Sequence, residues 1–172
     1  MKAKAIHDDL DTVQSSLKTA NKNLATTLAL PANTSLSDSL KELKKRGNNK
    51  IETVLEDGKW PKLKATDAVP SDVSAGIEAV NGLIDALKTS ESTLRDMPAA
   101  SKAVVSSAEK LPSKVGLQTL TSNNIPITKL PSTAKKVKND IKAVKATPQR
   151  VERVTKQTAN MATQVLEVFP AK

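Results

Sequence analysis

Residues 6–24 read IHDDLDTVQSSLKTANKNL, with apolar side chains at Ile6, Leu10, Val13, Leu17, Ala20 and Leu24. The steps between them alternate four and three. That is the period of a helix whose narrow apolar stripe seats on another helix. Polar residues fill the remaining positions, with Asp8, Asp9 and Asp11 early and Lys18 and Lys22 later. This order suits the partial charges at helix ends. Pro31 has no N–H to donate and its ring collides with the preceding turn, so it bounds the segment.

The same period recurs downstream. Ser35 followed by Asp38 resembles a capping box with a shorter acid, and Leu36, Leu40 and Leu43 follow it. Gly47-Asn48-Asn49 interrupts the stripe, Ile51, Val54 and Leu55 resume it, and Asp57-Gly58 reads as a helix stop. Residues 1–57 are therefore expected to form a helical hairpin. Residues 58–70, with Gly58, Pro61 and Pro70, are expected to link it to the rest. Trp60 in that linker is expected to plug the end of a bundle, with an exposed binding anchor as the alternative. Val73, Ile77, Val80, Ile84 and Leu87 then keep strict register, and Pro98 falls in line with them. Residues 71–111 read as one long helix, kinked or broken at that proline. Residues 112–131 carry Pro112, Gly116, Asn123-Asn124, Pro126 and Pro131 and read as a strap, anchored by Ile125 and Ile127. A last, basic helix is expected over 132–169, with Val137, Ile141 and Val144 on its stripe and Pro148 near its middle.

Composition agrees with helix-on-helix packing. Among 172 residues the only aromatics are Trp60 and Phe169. A compact sheet core normally draws much of its buried area from such rings. Five glycines leave few candidates for tight turns. The expected fold is all-α: a single elongated domain over 1–172, built as an antiparallel, coiled-coil-like bundle of about four amphipathic helices, the two longest interrupted by proline. The expected packing seam is Ile6, Leu10, Val13, Leu17, Val73, Ile77, Val80, Ile84, Leu87, Val137, Ile141 and Val144.

The residue inventory narrows the chemistry. There is no cysteine, so disulfides, thiolate metal sites and cysteine nucleophiles are excluded. His7 is the only histidine and reads as a solvated residue near the N-terminus. Asp8, Asp9 and Asp11 lack the glycine and spacing of a calcium loop. Ser15/Lys18, Ser107/Lys110 and Ser132/Lys135 match a Ser-x-x-Lys pattern, but the companion motifs are missing. No glycine-rich phosphate loop occurs. The expectation is a chain that is not an enzyme, with no cofactor and no metal. No window approaches the length of a membrane-spanning apolar helix. The N-terminal run has no apolar core of a signal peptide. The compartment stays open, with cytoplasmic as the first expectation and a trimmed precursor as the alternative.

Charge is the one feature above background. The net charge is +9. Residues 71–100 hold five acids and two bases, whereas 132–172 hold nine bases and three acids. Lys135, Lys138, Lys142, Lys145, Arg153 and Lys156 share one side of the last helix. Three readings follow. The stripe is a solvated face that pairs with acids of the third helix such as Asp72, Glu78, Asp85, Glu91 and Asp96. Or it meets anionic lipid or a granule surface, as a basic amphipathic helix does. Or it neutralises nucleic-acid phosphates without reading sequence. The leading functional expectation is a structural or assembly protein that packs helix to helix, as a homo-oligomer or with a helical partner. An anionic-surface binder acting through the stripe is the alternative.

Overall fold

The computed structural model of the chain describes residues 2–56, 60–110 and 130–170. Five helices and one antiparallel strand pair occupy them. The helices are α1 (Lys2–Thr27), α2 (Leu36–Gly47), α3 (Ser71–Leu94), α4 (Met97–Glu109) and α5 (Leu130–Val168). The strands, β1 (Ile51–Glu56) and β2 (Trp60–Ala65), lie between α2 and α3. The strap expected over 112–131, with its anchors Ile125 and Ile127, lies almost wholly outside the described residues. The chain divides into two compact units, Met1–Leu10 with Leu94–Arg153, and Asp11–Thr93 with Val154–Lys172.

The strand pair overturns the expectation of an all-α elongated bundle. Residues 1–57 are not a helical hairpin, and 58–70 is not merely a linker. The physical reason sits at the end of α2. Asn48 and Asn49 both take left-handed backbone angles, with φ of 44° and 64°. Asparagine tolerates that region better than most side chains. Two such residues in succession turn the chain out of the helix, and the Lys50 N–H closes on the Gly47 carbonyl at 2.8 Å. The next six residues, Ile-Glu-Thr-Val-Leu-Glu, are rich in β-branched side chains, with Ile51, Thr53 and Val54 among them. Short apolar runs of this kind fit a helix period and a strand period equally well. Asp57-Gly58, read as a helix stop, is also the residue pair favoured between hairpin strands.

Helix ends follow local chemistry. At the end of α1 the Leu30 N–H reaches the Ala25 carbonyl (2.8 Å) and the Ala29 N–H the Thr26 carbonyl (3.0 Å). This is a Schellman ending, and Ala29 supplies its left-handed residue at φ 52°. Ser35 caps α2: its hydroxyl oxygen accepts from the Asp38 N–H at 3.1 Å. The same hydroxyl donates to the Asp38 carboxylate at 2.7 Å, so the shorter acid closes the box on the side chain. Pro98 divides the long helix expected over 71–111. A continuous helix would drive its ring into the Leu94 carbonyl, four residues back. α3 ends at Leu94, and α4 restarts with Pro98 in its first turn, where a missing N–H costs nothing. Pro148, by contrast, is carried inside α5.

The larger core belongs to the unit holding most of α1, α2, the hairpin and α3. Leu17 and Leu24 of α1, Leu28 just after it, Leu40 and Leu43 of α2, and Val73, Val80 and Leu83 of α3 are fully buried side chains of this unit. Gly76 lets the helices close: a Cβ there would lie 2.6 Å from Leu43 Cδ1 and 3.2 Å from Leu28 Cδ2. Val165, Val168 and Phe169 at the end of α5 are buried in the same unit. The other unit buries Ile6, Leu10, Leu94, Met97, Ala108 and Val151, a smaller aliphatic set.

Candidate interaction surfaces

Nine of the seam residues are buried within the single chain: Ile6, Leu10, Val13, Leu17, Val73, Ile77, Val80, Ile84 and Leu87. Val137, Ile141 and Val144 on α5 are half-buried. The stripes of α1 and α3 are consumed by the chain's own core. They are not surfaces held in reserve for a partner.

The basic residues of α5 behave differently. Lys135, Lys138, Lys142, Lys145, Arg153 and Lys156 are all exposed. Two acids expected to answer them have other partners. Asp72 accepts from Arg46 of α2 at 3.0 Å, and Asp85 lies 3.7 Å from Lys88 of its own helix. Arg46 also holds Glu42 at 2.9 Å. The Arg46 bond keeps the Glu42 carboxyl below its ordinary range, and the two carboxylates raise the guanidinium.

His7 is not the solvated residue expected. Its ring is half-buried and bonded at both nitrogens: Nε2 lies 3.1 Å from Thr147 Oγ1, and Nδ1 lies 2.8 Å from Arg150 Nη1. A guanidinium only donates, so Nδ1 is the acceptor and Nε2–H donates to Thr147. This bonding ties α1 to α5 one residue before Pro148. The Thr147 hydroxyl also lies 3.4 Å from the Ala143 carbonyl of its own helix. Among the described residues no group of three or more His, Cys, Asp or Glu side chains converges as a metal site. No described helix is long and apolar enough to cross a membrane.

A groove of about 1060 Å³ runs between α1 and α3. Its floor is small: Ala20 on α1, and Ala75, Ala79, Gly82 and Ala86 on α3. Hydroxyl residues line its α1 side, among them Ser15, Ser16 and Thr19, and its only charged lining residues are Asp11 and Glu78. Gly82 is the unusual element. A Cβ built on it meets nothing within 4 Å. A mid-helix glycine costs about 1 kcal/mol against alanine, and no close approach among the described residues requires this one.

The hairpin carries the strongest polar geometry. Asn81 of α3 holds both main-chain groups of Leu63: its Oδ1 accepts from the Leu63 N–H at 2.9 Å, and its Nδ2 donates to the Leu63 carbonyl at 3.0 Å. Beside it, Glu56 of β1 receives Lys88 at 2.6 Å and Lys62 at 2.9 Å. These two ammonium groups, Lys88 foremost, pull the Glu56 carboxyl down to about 2. Trp60 opens β2 opposite Glu56 and is half-buried. Neither Asn81 nor Glu56 stands out in the sequence. Asn81 lies next to the seam position Val80 and looks like any polar residue of an amphipathic helix.

Comparison with protein-family models, with curated proteins and with solved structures finds no match for this chain.

Proposed function

We propose that this chain is a non-enzymatic structural or assembly protein, acting by packing a helix of a second copy or of a helical partner against its own. The observation that carries the reading is the α1/α3 groove, with Gly82 open at its floor. Small residues let two helix backbones approach closely, and a glycine with no neighbour among the described residues leaves room for one from outside. The buried seam cannot serve, because a charge at Ile77 or Ile84 would disrupt the chain's own core. The test therefore uses the groove. Light scattering across a concentration series should show a defined oligomer, or a complex with a helical partner. Replacing Ala79 and Gly82 by Leu should abolish it while far-UV circular dichroism stays unchanged. Association that survives both substitutions would reject the groove as the packing surface.

The alternative reading is an anionic-surface binder working through α5. Its support is the exposure of all six stripe residues, with Lys138, Lys142 and Lys145 making no ion pair among the described residues. Binding to phosphatidylserine vesicles or to duplex DNA should be lost when these three become Glu. Binding that persists would dismiss the stripe.

A further inference from the structure

The two edges of the hairpin are not equivalent. In an antiparallel pair, successive residues turn their N–H and C=O alternately toward and away from the neighbouring strand. Leu63 gives both groups to Asn81, so its groups point away from β1. Its register partner Thr53 therefore points away from β2. Ile51 and Leu55 share that orientation, two residues either side. The bond from the Thr66 N–H to the Lys50 carbonyl, 2.9 Å, fixes the same alternation from the other end. The outer edge of β2 is thus covered at its centre by a side chain standing in for a strand. At the outer edge of β1, no described residue bonds the outward groups of Ile51, Thr53 or Leu55.

The usual guards are also on the wrong strand for protection. Edges are normally blunted by lysine, proline or a bulge. Pro61, Lys62 and Lys64 are all on β2. β1 has none of these residues, and its register with β2 runs through without a bulge.

Burial points the same way. Ile51, Thr53 and Leu55 share a face with Pro61 and Leu63. Pro61 and Leu63 are buried, whereas Ile51 and Thr53 are half-buried and Leu55 is 46% exposed. The core lies under β2 and stops short of β1. A cavity of about 410 Å³ adjoins β1, lined by Ile51 and Thr53 with Lys44, Phe169 and Pro170 among its walls. The opposite face of β1 carries Glu52, Val54 and Glu56: Glu52 is exposed, Glu56 is held by Lys88 and Lys62, and no base occurs between Ile51 and Glu56.

We propose that the outer edge of β1 is a docking site for an extended segment of a partner protein in which lysine alternates with apolar residues, added as a third strand. Main-chain bonds to Ile51, Thr53 and Leu55 would hold it, as in other cases of strand addition. Its apolar residues would lie beside Leu55 and the cavity, and its lysines on the face of the exposed Glu52. β2 already shows this pairing on the inner edge, where Lys64 opposes Glu52 and Lys62 bonds Glu56. A second copy is the poorer occupant, because pairing β1 with β1 gathers the acids of both copies on one face. The site is separate from the α1/α3 groove and does not depend on it.

The experiment uses the full chain and a labelled eight-residue peptide of alternating lysine and valine, followed by fluorescence anisotropy. Saturable binding is expected, weakened about tenfold or more when the peptide's bonding amides are N-methylated, since those hydrogen bonds supply the attachment. A peptide of alternating glutamate and valine should bind at least about tenfold more weakly. Thr53→Pro should abolish binding; its N–H points outward, so the hairpin ladder survives a proline there. Should that variant lose its fold, the N-methylated peptide on the unaltered protein carries the test alone. Absence of binding, or equal binding of the N-methylated peptide, overturns the proposal. So does self-association of the unaltered chain that Glu52→Lys strengthens, which would assign the edge to a second copy.

Discussion

The side-chain amide of Asn81 bonds the N–H and the C=O of Leu63 together, at 2.9 and 3.0 Å. A side-chain amide offers the same donor and acceptor as a peptide group, so one residue of α3 completes the outer edge of β2 at its centre and anchors the hairpin to the helix. A two-stranded hairpin alone is at best marginally stable in water. Here it is held by this clamp, by burial of Leu63 and by Glu56 reaching Lys88 on the same helix.

Asn81→Leu should therefore destabilise the chain by about 1–3 kcal/mol, because both Leu63 groups lose their partner at a partly buried site. Asn81→Asp should cost as much or more, since the donor is lost and a carboxylate faces the Leu63 carbonyl. Urea unfolding checks the magnitude. Hydrogen exchange should show faster exchange of the Leu63 amide in both variants.

Ala29 sits at φ 52°, the position in a Schellman ending that glycine normally fills. Ala29→Gly should stabilise by about 1 kcal/mol, the relief of left-handed strain exceeding the added chain entropy of the unfolded state. A rise in thermal midpoint checks this, and a fall would show that the Ala29 side chain makes packing contacts worth more than the strain.

Two glycines of α3, six residues apart, should respond with opposite signs. Gly76→Ala drives a methyl to 2.6 Å from Leu43 Cδ1 in the core and should cost about 1–3 kcal/mol. Gly82→Ala meets open space and should gain about 1 kcal/mol of helix propensity. Denaturation of the two variants side by side, below the concentration at which the chain associates, tests the contrast.

Glu56 gives the chain a specific acid response. Its carboxyl is lowered to about 2 by Lys88 and Lys62. A carboxylate with a depressed folded-state pKa stabilises the fold above its unfolded value, ordinarily near 4.5. That contribution is lost as pH falls from there toward about 2. Glu56→Gln should flatten the stability profile in that window and leave its shape above it unchanged. Added salt should weaken the effect in the unaltered chain, because all three groups are partly exposed.

Much of the helical framework was legible before the structure. The register Ile6-Leu10-Val13-Leu17 and the register Val73-Ile77-Val80-Ile84-Leu87 each mark one buried face, because a 3.6-residue period converts sequence spacing directly into position around a helix. Pro31 and Pro98 mark boundaries for an equally local reason: each proline removes a bond within its own turn. The basic stripe was legible as charge, and its side chains are exposed.

What remained hidden depends on residues far apart in the chain. Ile51, Val54 and Leu55 fit a helix or a strand, and the choice rests on Leu63 being buried and on Asn81, 18 residues away, taking its main-chain groups. His7 gave no sign that Thr147 and Arg150, some 140 positions on, would hold its ring. The groove over Gly82 and the outer edge of β1, which no described residue bonds, exist only because particular helices and strands meet. Periodicity fixed which faces are apolar. Only the three-dimensional packing decided which of them close on each other, since hydrophobic burial is non-directional and does not specify a partner.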